Sequence, residues 1–164
     1  MPLNSSSLAA LSTPESNSKS QSQMLKLPQV VFIPIHDNQT KLQQVYHIAQ
    51  AHFERKEKLI IQVADQASLE FVDLFLWRTP QESFLPHSTD ESSQEFLYIS
   101  DKAVPLFEGH AILNLTLSPL QAKLPLKIIY EFEDLTTPQK KEASQHRFNQ
   151  YKSWGYPLAI QQVK

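Results

Sequence analysis

From residue 29 onward the chain switches between short runs that are apolar throughout and longer stretches whose apolar residues recur at helical spacing. QVVFIPI (29–35) is continuous, apolar and rich in β-branched residues, the pattern of a strand buried on both faces. His36, Asp37 and Asn38 make a turn, and Thr40 is placed to cap a helix. In that helix Leu42, Val45, Ala49 and Phe53 form one face, while Lys41, Gln44 and Glu54 point elsewhere. The charged run ERKEK (54–58) ends it. KLIIQVA (58–64) then predicts a second buried strand, and Asp65 caps a second helix over residues 68–77.

That second helix is too apolar for an ordinary surface helix. Leu69, Val72 and Leu76 make one stripe, and Phe71, Leu74, Phe75 and Trp77 spread over most of the remaining circumference. Such a helix is either sandwiched within the fold or presents a face to a partner. Arg78, Thr79 and Pro80 stop it, because the residue before a proline resists the helical region. FLPH (84–87) leads into a polar loop. EFLYIS (95–100), HAILNLTL (110–117) and LKIIYEF (126–132) predict three further strands, with Pro105, Pro119 and Pro125 between them. Thr137 caps a last helix that has Pro138 at its first position, runs to about Ser153 and ends at Gly155. Strand–helix–strand–helix followed by more strands predicts an α/β fold: three layers, with a central, mostly parallel sheet flanked by helices. Residues 28–164 are expected to form that single domain. Residues 1–27 are serine-rich over most of their length and without a usable period, and are expected to be a disordered leader.

Composition narrows the function. There are two glycines, Gly109 and Gly155, so neither a dinucleotide-binding G-x-G-x-x-G loop nor a phosphate-cradling G-x-x-x-x-G-K-[ST] loop can be written. No cofactor is expected. Seventeen acidic against fifteen basic residues give a formal charge of −2, so no overall field points at nucleic acid. There is no cysteine, which excludes a disulfide framework, a thiolate zinc site and a thiol nucleophile, and fits a reducing cytosol. No apolar run approaches the length of a membrane span.

Candidate chemistry is sparse. His47 and His52 are five residues apart on the first helix and cannot share a metal as an i, i+4 pair does. His36 and Asp37 follow a strand, where α/β folds often hold active sites, but no second catalytic group lies nearby in sequence, so they read as a turn. Ser83 and Ser118 lack the G-x-S-x-G setting of a hydrolase nucleophile. Glu131, Glu133 and Asp134 read as an exposed strand end running into a loop. What remains is surface. On the last helix Lys141, Phe148 and Lys152 share a stripe with Gln145 between them, and Lys140, Arg147 and Tyr151 make a neighbouring one. Cations beside rings suit an acidic peptide ending in a hydrophobic residue, or single-stranded nucleic acid, as well as a plain solvated face.

Two of these segments, taken together, resemble the chi subunit family of bacterial DNA polymerase III. The first is the helix ending in Leu76 and Trp77, followed at the family's spacing by Ser83, Phe84, Leu85, Pro86 and His87; the second is HRFNQYKSWGYPL (146–158). The resemblance spans about residues 28–160. It implies a Rossmann-like α/β domain without nucleotide or active site, serving as a non-catalytic accessory subunit in DNA replication. It implies that Trp77, Phe84 and Pro86 meet a psi-type clamp-loader subunit or, in relatives, a helicase, and the surplus apolar surface of the same helix adds Phe71 and Leu74 to that expected face. It further implies that Lys141, Phe148, Tyr151 and Lys152 take the acidic C-terminal tail of single-stranded-DNA-binding protein, so that DNA is met mainly indirectly. Gln145 and Asn149 depart from the family, which commonly places Arg and Lys there; tail binding is then expected to be weaker, or Lys140 and Arg147 to compensate. From the residues alone, a small α/β enzyme with a site near the strand ends, or a direct single-stranded nucleic-acid binder, stays open beside the adaptor.

Overall fold

Residues Gln29–Ile35 form β1, and the continuous apolar run is buried along nearly its whole length. The computed structural model describes residues 27–78, 85–90, 92–102, 110–121 and 125–161. Residues 1–26 of the serine-rich leader, and Phe84, lie outside them. After β1 come α1 (Asn38–Arg55), β2 (Leu59–Gln62), α2 (Gln66–Arg78), β3 (Leu97–Ser100), β4 (Ala111–Asn114), β5 (Ile128–Asp134), α3 (Pro138–Ser153) and β6 (Leu158–Ile160). The strands lie in the order β3-β2-β4-β5-β1-β6, and every pairing is parallel. The sheet is therefore fully parallel where the sequence predicted mostly parallel.

Side-chain parity along each strand builds two cores. Val31, Ile33 and Ile35 of β1 join Leu59, Ile61 and Leu113 beneath α1 and α2, while Val30, Phe32, Ile60, Ile112 and Ile129 pack with Tyr151 and Tyr156 on the α3 side. With both faces covered, strands read as apolar throughout, which is why the runs carried no alternation.

Several local signals resolve differently from the reading above. Asp37, and not Thr40, caps α1: its carboxylate accepts the Thr40 backbone N–H at 2.7 Å, so the helix begins three residues earlier. That bond holds the Asp37 carboxyl below the usual carboxylate range. Asp65 accepts from the Ser68 N–H at 2.8 Å, and Thr137 caps α3 with Pro138 first, both as the sequence predicts. The sixth strand, β6, was absent from the sequence expectation.

Lys56 closes α1 with φ 56° and ψ 41°, a left-handed conformation that costs an L side chain about 1 kcal/mol or more and glycine little. Lys56→Gly is therefore expected to stabilise the domain by about 0.5 kcal/mol after the extra unfolded-state entropy of glycine is subtracted, read as a raised urea midpoint. A lowered midpoint would show that the lysine side chain holds the cap.

Candidate functional site

The stripe of α2 formed by Leu69, Val72 and Leu76 is buried against the sheet. Its other side is open: Phe71 is 56% exposed, Leu74 47% and Trp77 38%. The helix is thus half in the core and half outside, which answers the choice between sandwiching and a free face in favour of both, stripe by stripe. Next to it, α1 and α2 leave a groove of about 340 Å³ lined mainly by apolar residues, among them Leu42, Val45, Val63, Phe71, Phe75 and Leu115.

The segment from Leu85 to Ser88 runs beside this face. Leu85 and His87 are buried, and Pro86 is partly exposed. Ser88 bridges to the β3 edge: its N–H donates to the Leu97 carbonyl at 3.0 Å, and its carbonyl accepts from Ile99 at 2.9 Å. Of the residues assigned to a psi-type partner, then, Phe71, Leu74 and Trp77 share one helix face and Pro86 lies in a segment pinned to the sheet.

A second feature lies on the opposite layer. Phe32, Glu133, Ser144, Gln145, Phe148, Asn149 and Ile160 line a groove of about 400 Å³ between α3 and the β1–β6 edge. Phe148 stands edge-on to Phe32, centroids 5.3 Å apart, at the groove floor. Lys141 and Lys152 are exposed on the same stripe of α3, about two turns before and one turn after Phe148. Ile160 is an addition the sequence did not single out, and Glu133, read there only as part of a strand end, lies on the groove wall. Ile160 belongs to the unanticipated β6; the short apolar segment after Gly155 was its available signal.

The neighbouring stripe is corrected by its burial. Arg147 and Tyr151, expected beside the groove, are 4% and 0% exposed and turn inward with Ser144. The reason is Glu131. Its carboxylate, also fully buried, accepts from Arg147 Nε at 3.0 Å, from Asn114 Nδ2 at 2.7 Å and from the Tyr151 hydroxyl at 2.6 Å. Arg147 Nη2 also donates to the Phe132 carbonyl at 2.8 Å, and the Leu120 N–H donates to the Tyr151 oxygen at 2.8 Å. Burial pushes the Glu131 carboxyl up to about 7 against the pull of these donors, and burial beside Glu131 pushes the Tyr151 hydroxyl up as well. A stripe that reads as cationic and aromatic thus faces the sheet, because a buried acid receives it. Arg147 is committed there and cannot replace the missing cations at Gln145 and Asn149. Lys140 lines a different recess, with Lys41, Asn114 and Asp134. Glu131 and Asp134 are likewise not an exposed strand end: Asp134 is 5% exposed and paired with Lys41 at 2.8 Å.

Among the described residues no group of three His, Asp or Glu side chains could hold a metal ion, and no helix is long and apolar enough to cross a membrane.

Fold and surfaces together define a Rossmann-like α/β domain with an exposed apolar helix face on one layer and, on the other, an aromatic groove beside a helix stripe that carries two exposed lysines. The chain belongs to the DNA polymerase III chi subunit (HolC) family, whose model matches residues 27–159. It is similar to the DNA polymerase III subunit chi of Pseudomonas aeruginosa, at 25% identity over 132 residues, covering 77% of this chain and 89% of that relative. It is accordingly a subunit of DNA polymerase III, acting in DNA replication.

Proposed function

We propose that the chain is a non-catalytic, cytoplasmic adaptor that ties the clamp loader to single-stranded-DNA-binding protein. The α2 face and Pro86 receive a psi-type subunit, or a helicase in its place. The α3–β6 groove receives the acidic, phenylalanine-ended tail of the DNA-binding protein. The observation that carries this reading is the division of α2, whose Phe71, Leu74 and Trp77 lie open to solvent while the opposite stripe is core. A helix exposing rings of that size marks a docking surface more readily than a solvated one. The carboxylates at the strand C-termini also support it, since Asp37 is spent on a helix cap and Glu131 and Asp134 on ion pairs. That leaves them no free role as acid or base.

The groove combines a ring floor with flanking ammonium groups, the chemistry that suits a terminal phenyl ring preceded by acids. Glu133 works against it, as a like charge on the wall. Tail-peptide calorimetry is expected to show Lys141→Ala and Lys152→Ala each weakening binding about two- to fivefold, as exposed pairs do, and Glu133→Gln strengthening it by a similar factor. Full-length DNA-binding protein should be retained by the chain and lose retention when its last residues are removed. Unchanged affinity in both lysine variants would move the tail away from this groove.

A further inference from the structure

Behind Trp77 lies a residue that the docking face does not itself use. The indole packs on the imidazole of His87, ring centroids 4.2 Å apart and planes tilted by 40°. The His87 side chain is completely buried. Both of its nitrogens face acceptors: Nδ1 lies 2.8 Å from the Leu85 carbonyl oxygen and Nε2 lies 2.8 Å from Asp73 Oδ1. A carbonyl and a carboxylate have no proton to give, and a neutral imidazole has one N–H, enough for only one of them.

We propose that His87 is the positioning residue of the apolar face, an imidazolium clasped between Asp73 and the Leu85 carbonyl that sets the orientation of the Trp77 indole. The inference rests on the docking face proposed above and supplies the part that holds it in shape. A buried cation needs a charged partner and satisfied donors, and the clasp provides both. The indole face adds cation–π attraction to the ring beneath it. Asp73 and Trp77 sit four residues apart on α2, so one histidine reaches both from the same side of the helix. Ser88, the next residue, is stitched to β3. The 85–88 segment is therefore fixed to the sheet by Ser88 and to α2 by His87, which also fixes the partly exposed Pro86 between Leu85 and His87.

The clasp is tested on the free protein. In the ¹⁵N-histidine-labelled chain near neutral pH, two-bond correlation spectra are expected to show both nitrogens of His87 protonated, the signals being assigned by their loss in His87→Gln. A bare nitrogen on His87 in the unaltered protein overturns the proposal. Asp73→Asn keeps the side-chain shape and leaves His87 in place. It is expected to strip the proton from one nitrogen and to raise Trp77 emission, read in a Trp154→Phe background, because a stacked imidazolium quenches an indole. Two protonated nitrogens with unchanged emission in Asp73→Asn also overturn the proposal. Asp73→Asn should further weaken clamp-loader association about tenfold, and association at full strength would remove the positioning role. Should the unaltered chain itself fail to associate, the docking reading falls, while the nitrogen and indole measurements still decide the clasp.

Discussion

Trp77→Ala is expected to abolish clamp-loader association and leave the domain folded. An aromatic side chain this size brings about 150–250 Å² to an interface, and truncating a central tryptophan typically costs about 2–4 kcal/mol, or some thirty- to a thousandfold in affinity. Trp77 keeps 38% of its surface open and packs on His87 at the rim of the core, so the fold loses much less than an interface would. Its neighbour supplies the contrast. Leu76 is completely buried in the cluster beneath α1 and α2, and Leu76→Ala should cost about 2–5 kcal/mol of stability. Co-elution with the reconstituted clamp loader and urea midpoints for the two variants separate the effects. If Trp77→Ala unfolds the domain, or still co-elutes, the α2 face is not the docking surface.

The second large effect is on stability. Arg147→Met is expected to destabilise the domain by about 3–5 kcal/mol at pH 8, because it leaves Glu131 buried without its cation. The pH dependence follows from the sign of the Glu131 shift. Its folded value is raised from the ordinary 4.5 to about 7, so between those limits the folded state holds a proton that the unfolded chain has released. Its contribution is fully present below about pH 4.5 and is lost as pH rises through 7. Removing Arg147 removes a charge that lowers that value, so the acid stays protonated to higher pH and the loss of stability with pH extends over a wider range. At pH 5 the same variant should therefore be damaged less than at pH 8, by up to about 1.4 kcal/mol. The double variant Glu131→Gln, Arg147→Met, with no buried charge left, should recover most of the loss. Equal damage at the two pH values would mean that the arginine contributes packing and not charge. Because Arg147 lies on the inward stripe of α3, loss of the pair is also expected to loosen the helix that carries Phe148.

Much of this molecule was readable before any coordinate. The largely apolar runs at 29–35 and 58–64 specify strands covered on both sides, which in turn require helices on both faces and parallel crossovers. Thr137-Pro138 and Asp65 marked two helix starts correctly. The cap of α1 was misplaced by three residues because Asp37 and Thr40 are both good capping residues, and local sequence does not say which one accepts the bond. β6 escaped because three residues after a glycine carry too little pattern to register as a strand until β1 offers them an edge.

Local chemistry thus decided what kinds of element form and that the sheet lies inside, and two glycines so far apart cannot spell either phosphate-loop motif. Spacing along α2 even exposed the surplus of large apolar residues. What tertiary structure alone decided is the direction in which the polar side chains face. Glu131 and Arg147 are sixteen residues apart and each reads as surface; only when α3 lies across β5 do they meet at 3.0 Å and turn a cationic stripe inward. His87 and Asp73 are joined in the same way, across fourteen residues. The physical reason is that burying a charge is prohibitive alone and acceptable in a pair, and whether a pair exists is a property of the fold.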